Sequence, residues 1–70
     1  MKISARNQLK GTIVGIQEGA VNGIVQIDIG DGRVISATIS MNSIRELGLA
    51  AGKSAYAVIK ATSVMVGIDD

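Results

Sequence analysis

Cysteine, histidine, proline, tryptophan and phenylalanine are all missing from this chain of 70 residues, and Tyr56 is its only aromatic side chain. Each absence removes a class of function. Without thiols there is no disulfide framework. Without imidazole or thiolate there is neither the commonest general base nor the N and S ligands that borderline metals prefer. Six carboxylates, four lysines, one tyrosine and scattered hydroxyls remain, too dispersed for a calcium loop, so neither an enzyme nor a bound metal cation is expected. Asp28 and Asp31 lie close in sequence, but a solvent-side strand residue and a turn former account for both. One ring cannot build the stacking platform of a single-strand nucleic-acid binder. Seven basic residues against six acidic ones leave a net charge of +1 and no basic run, hence no electrostatic footprint for nucleic acid or an anionic membrane. No apolar run nears the ~18 residues of a membrane span. Met1 to Gln8 carries Lys2 and Arg6, but no apolar stretch with a small-residue cleavage site follows. The protein is expected to stay in the cytoplasm.

What the chain has in abundance is isoleucine and valine, eleven and seven against three leucines, in a composition that is 47% apolar and 19% charged. Branching at Cβ favours pleated strands over helices. Residues 1–70 form one small domain, and a domain near this size buries only about 60% of its unfolded surface. With no thiol or imidazole to staple the fold, association of copies is the route left to close that deficit. A homo-oligomer with apolar surface between subunits is expected.

Glycines punctuate the chain, and between them apolar residues recur at every second position. Val25, Ile27 and Ile29 alternate with Gln26 and Asp28 in a strand over 24–29, and Ile35, Ala37 and Ile39 alternate with Ser36, Thr38 and Ser40 in the next, over 34–40. Gly30-Asp31-Gly32 joins them as a hairpin. An earlier strand, Asn7 to Gln17, has apolar residues of both parities with Gly11 and Gly15 between them, which fits a strand covered on both sides or strongly curled, as at a barrel corner. Glu18 to Gly23 is a glycine-flanked loop with free amides. Ser40 to Gly48 is the one helix: Ser43 with Glu46 fits a capping box, Ser40 is a second candidate cap, Ile44 and Leu47 give a one-turn apolar contact, and Gly48 suits a left-handed stop. Strands over 54–60 and 63–68 complete a β-β-β-α-β-β order. That order predicts an all-β, OB-like five-stranded Greek-key barrel with one short helix between strands 3 and 4.

Three segments rich in hydrogen-bonding groups contain no carboxylate: Ser4-Ala5-Arg6-Asn7, Ser40-Met41-Asn42-Ser43 and Lys60-Ala61-Thr62-Ser63. Singly, each has an ordinary explanation, since Arg6 and Lys60 suit a solvated surface and Ser40 and Ser43 suit helix caps. Together with a helix start, whose N–H groups attract negative charge, they also suit a small anion.

Ser-Ala-Arg-Asn-Gln-Leu at 4–9, Gly-Ala-Val-Asn-Gly at 19–23, Ile-Ser-Met-Asn-Ser at 39–43 and Ile-Lys-Ala-Thr-Ser-Val-Met at 59–65 closely resemble, in that order, the molbindins, small molybdate-binding proteins also called Mop proteins. The resemblance covers essentially the whole chain. The same module forms the C-terminal part of molybdate-responsive regulators and of the ATPase subunit of molybdate importers. The chain has no room for either partner domain and looks like the free-standing cytoplasmic storage form. The resemblance implies a homohexamer, a trimer of dimers whose barrels exchange a strand. Its ligands would be the oxyanions molybdate and tungstate, bound at subunit interfaces without any cofactor, nucleic-acid or membrane partner.

It also implies a main oxyanion site, with Ser4, Ala5 and Arg6 from one part of the interface and Ser40, Ser43, Lys60 and Ala61 from another. Arg6 and Lys60 would balance the charge, hydroxyls and amides would bind the oxygens, and the two alanines would let the backbone come close. Where the family usually has Thr, this chain has Ser40, which keeps the hydroxyl and loses a methyl. A second oxyanion site, on the three-fold axis, falls on the loop Gly19, Ala20, Val21 and Asn22. Two other functions stay open beside this one: an assembly module whose polar interface binds no ligand, and an OB-type nucleic-acid binder, which the lone Tyr56 disfavours.

Overall fold

The strictest period-two alternation in the chain forms its central hairpin. In the computed structural model, which describes residues 1–70, β2 (Asn22–Asp28) and β3 (Val34–Ser40) pair antiparallel from Asn22↔Ser40 to Asp28↔Val34. β2 begins earlier than its alternation predicts because Asn22 and Gly23 already pair with Ser40 and Ile39. Gly30, Asp31 and Gly32 all take positive φ, at 121°, 54° and 73°, as the expected turn demands. Asp28 Oδ1 accepts the Gly30 N–H at 2.8 Å. Both aspartates therefore serve the turn.

β1 (Asn7–Gln17) lies between β2 and β4 (Ser54–Ile59), giving the sheet order β3-β2-β1-β4. A register shift between Ile13 and Gly15 explains the mixed parity of β1, because Ile13 pairs with Ile27 while Ile16 pairs with Val25. Val14 is the extra residue, and the bulge it makes turns both isoleucines toward the core.

The helix α1 (Met41–Glu46) is capped by Ser40, whose Oγ accepts the Ser43 N–H at 3.0 Å. The expected capping box of Ser43 with Glu46 does not form; Glu46 instead accepts from Asn42 Nδ2 at 3.3 Å. With the start set at Ser40, Met41 and Ile44 share the inward face and are buried, while Leu47 is the C-cap and 69% exposed. The expected contact between Ile44 and Leu47 is thus replaced by one between Met41 and Ile44. Both lie over Gly23, where a Cβ would stand 2.7 Å from Ile44 Cδ1 and 2.8 Å from Met41 Sδ. Only glycine lets the helix sit this close to β2. Gly48, at φ 63°, supplies the left-handed stop.

The outcome is an all-β half-barrel whose buried apolar core is Ile13, Val25, Ile27, Met41, Ile44 and Ala57. The expected fifth strand finds no partner in the chain. Residues 61–63 form a 3-10 turn instead, and Val64 continues extended (φ −88°, ψ 126°) into a segment where Met65, Val66 and Ile68 are 91–92% exposed. A strand needs a ladder neighbour, and this segment pairs with neither β3 nor β4 at the edges of its own sheet. No helix is long and apolar enough to cross a membrane.

Candidate functional site

The antiparallel register of β1 with β4 decides which polar segments meet. Asn7 pairs with Ile59 at the end of the ladder, so the residues just before β1 and just after β4 leave the sheet side by side. They enclose an open cleft of about 430 Å³ in which Ser4, Ala5 and Arg6 face Lys60, Ala61 and Thr62, with Ile3 and Val58 as its apolar part. Two cationic side chains and two hydroxyls, those of Ser4 and Thr62, border it, and no carboxylate does. Arg6 and Lys60 are both exposed. The volume would hold many waters at ~30 Å³ each, so a single chain leaves much of a small ion's surface in solvent.

Ser40 and Ser43 lie elsewhere. Ser40 ends β3 opposite Asn22, next to the Gln17 end of β1, whereas the cleft opens at the Asn7 end. Ten steps of strand at about 3.3 Å separate those ends by roughly 30 Å of chain. The grouping expected from the resemblance, Ser40 and Ser43 with Lys60 and Ala61, is therefore not made within one chain: Lys60 and Ala61 join Ser4, Ala5 and Arg6 instead. The helix start is also less open than expected. Met41 N–H donates to Val21 O at 2.8 Å and Ser43 N–H to Ser40 Oγ, which occupies two of its amides, and α1 is only 6 residues long. What it does present is a directed hydroxyl. Ser40 Oγ–H donates to Ser43 Oγ at 2.9 Å, so the Ser43 O–H is not used in that bond.

The loop proposed for a second site is divided. Gly19 and Asn22 line a groove with Gln17, Glu18, Gly23, Ile24 and Thr38. Ala20 and Val21 do not line it, and the Val21 carbonyl is bound to α1. The Glu18 carboxylate at this groove opposes an anion there.

Sequence reasoning missed Thr62 as a lining residue and Asn7 as the group joining the two walls. Thr62 had a signal, since it sits in the carboxylate-free segment after β4. Asn7 sits in such a segment too, at the start of β1, but its part in joining the walls depends on the β1–β4 register.

Residues 3–66 match the family model for the TOBE domain. Over 69 residues the chain is 64% identical to the probable molybdenum-pterin-binding protein of Haemophilus influenzae, covering 99% of this chain and 100% of that protein. Among solved structures it is similar to an apo form of MopII from Clostridium pasteurianum, with TM-score 0.89 and 45% identity over 96% of this chain and 100% of that one. It is also similar to a molybdate-binding protein from Sporomusa ovata, with TM-score 0.89 and 35% identity over 97% and 100%. Fold and sequence thus define a small OB-like TOBE module. The chain belongs to the molbindin family.

Proposed function

We infer that this protein is a cytoplasmic, non-catalytic binder of molybdate, and of tungstate, that holds the oxyanion between subunits of a homohexamer for storage and homeostasis, each 70-residue chain acting as one module. The observation that carries this reading is the cleft where Ser4, Ala5 and Arg6 meet Lys60 and Ala61 with no carboxylate among its lining residues. The name of the Sporomusa ovata protein supports the choice of molybdate, and that of the Haemophilus influenzae relative, a probable molybdenum-pterin-binding protein, supports a molybdenum-containing ligand. Because Ser40 and Ser43 stand at the far end of β1, a site that unites all seven residues takes Ser40 and Ser43 from a neighbouring chain. The unpaired apolar segment after Ser63 is the element to be exchanged with that neighbour.

Selectivity follows from the chemistry of the donors. Molybdate and tungstate are fully deprotonated tetrahedral dianions at neutral pH. Phosphate often keeps a proton, and a site with donors only leaves that O–H unpaired at a cost of about 1–3 kcal/mol. Sulfate has no such proton and is rejected by size, since it is too small to reach every donor at once. Molybdate and tungstate are close in size and are not separated by this mechanism.

Native mass spectrometry of the protein alone and with molybdate, tungstate, sulfate or phosphate tests the reading. The expected outcome is a hexamer that retains molybdate and tungstate in whole-number stoichiometry and sheds the other two. A hexamer that retains no oxyanion would mean an assembly module, and a monomer without adducts would end the proposal.

A further inference from the structure

Two side-chain hydrogen bonds hold the walls of the cleft, and neither comes from a residue that lines it. Asn7 Nδ2–H donates to the Ile59 carbonyl at 3.2 Å, across 52 residues of sequence, at the last pair of the β1–β4 ladder. Gln8 Nε2–H donates to the Ala5 carbonyl at 2.8 Å. Beyond these points the backbone has no ladder to hold it. Residues 4–6 belong to no strand or helix, and Lys60 opens a 3-10 turn that has no side-chain cap.

We propose that Asn7 is the spacing residue of the cleft: by tying the end of β4 to the start of β1 it sets how far Lys60 and Ala61 stand from Ala5 and Arg6, and so the size of anion accepted, with Gln8 steadying the Ala5 side. This rests on the reading of the cleft as an oxyanion site. Long Arg and Lys side chains adjust to ions of different size, so they discriminate little between them. Backbone groups beside Ala5 and Ala61 cannot adjust if the chain segments that flank β1 and β4 are fixed, and fixed donors favour the one ion whose oxygens they all reach. Asn7 is half-buried, which shelters its bond from water. Its amide is also neutral, whereas a carboxylate at this position would face the Ile59 carbonyl and oppose a nearby anion.

Asn7→Leu removes the donor with little change of volume, and Asn7→His returns an N–H at similar reach through Nδ1, assayed at about pH 8 where imidazole is neutral. Calorimetric titration of the assembled protein should show molybdate affinity falling about tenfold in Asn7→Leu, sulfate affinity changing by less than about twofold, and the histidine variant recovering most of the lost ratio. Gln8 is exposed, so Gln8→Met probes the same device without risk to the core and should lower the molybdate-to-sulfate ratio by about threefold. Equal losses for both anions, or an unchanged ratio, would overturn the proposal, since general destabilisation lowers both alike. Amide exchange without any anion separates this idea from the oxyanion reading. The Ser63 N–H, bonded to Lys60 O at 2.9 Å, should exchange about tenfold faster in Asn7→Leu while Ile13 in the core keeps its rate. If the wild-type protein took up no molybdate, the oxyanion reading would fall while faster Ser63 exchange still supported the clamp. Unchanged Ser63 exchange overturns the clamp whatever the cleft binds.

Discussion

Arg6 and Lys60 are 54 positions apart in the chain, and they border one cleft only because β1 and β4 pair up to Asn7 and Ile59. Hydrogen bonds to an ionised partner contribute about 1.5–3 kcal/mol, against about 1 kcal/mol for a neutral pair. Replacing either cation by alanine should thus weaken molybdate binding by about tenfold to a hundredfold, and replacing the Ser4 hydroxyl should cost less. Isothermal titration of Arg6→Ala, Lys60→Ala and Ser4→Ala gives the ranking directly. An unchanged dissociation constant in Lys60→Ala would remove that residue from the site. Arg6→Lys is not a mild change either, since it exchanges a planar fork of donors for a point charge.

At the scale of elements, the two serines at the start of α1, Ser40 as its N-cap and Ser43 within it, have different duties, and the hydrogen bonds separate them. Ser40 Oγ caps the helix by accepting the Ser43 backbone N–H, and its own proton goes to Ser43 Oγ. Ser40→Ala should cost about 1 kcal/mol of cap energy, which for a domain of this size lowers Tm by about 4–8 °C. Ser43→Ala keeps the capping bond, because that bond uses the backbone, and loses the Ser43 hydroxyl together with the bond it accepts from Ser40 Oγ. It should leave Tm near the wild-type value while weakening molybdate binding, a pattern that thermal melts with and without the anion will reveal. The same region marks how far the chain could be understood before its structure. The hairpin and the strands on either side of it were legible, since their alternation is local and their turn contains residues suited to positive φ. The choice of Ser40 over Ser43 as cap was not, because both fit the local pattern and only the docking of Met41 and Ile44 over Gly23 decides between them. Mixed parity in β1 signalled a bend, but the bulge at Val14 depends on the register with β2. For the cleft, the residue types were legible and their partnership was not. That Lys60 meets Arg6 rather than Ser43 is a property of long-range strand pairing.

On the scale of the whole molecule, a core of six buried apolar residues contrasts with an apolar segment left in solvent. Val64, Met65, Val66 and Ile68 are 50–92% exposed, and full burial of such side chains contributes about 1.5–3 kcal/mol each. Covering them against a neighbouring chain is the natural source of the stability that a small single core lacks. The segment also supplies a clean test of the proposed assembly, because none of residues 64–70 lines the cleft. A chain ending at Ser63 keeps Ser4, Ala5, Arg6, Ser40, Ser43, Lys60 and Ala61, so a site complete within one chain would survive the truncation. If the anion instead needs Ser40 and Ser43 from a neighbour, losing the exchanged segment removes assembly and binding together. Sedimentation velocity and calorimetric titration on the truncated chain should therefore show small species that take up no molybdate. Molybdate at about a hundredfold over Kd should stabilise the full chain by about 2.7 kcal/mol and leave the truncated one unmoved. A truncated monomer that bound molybdate as tightly as the full chain would show that one cleft suffices and that the interface plays no part in holding the ion.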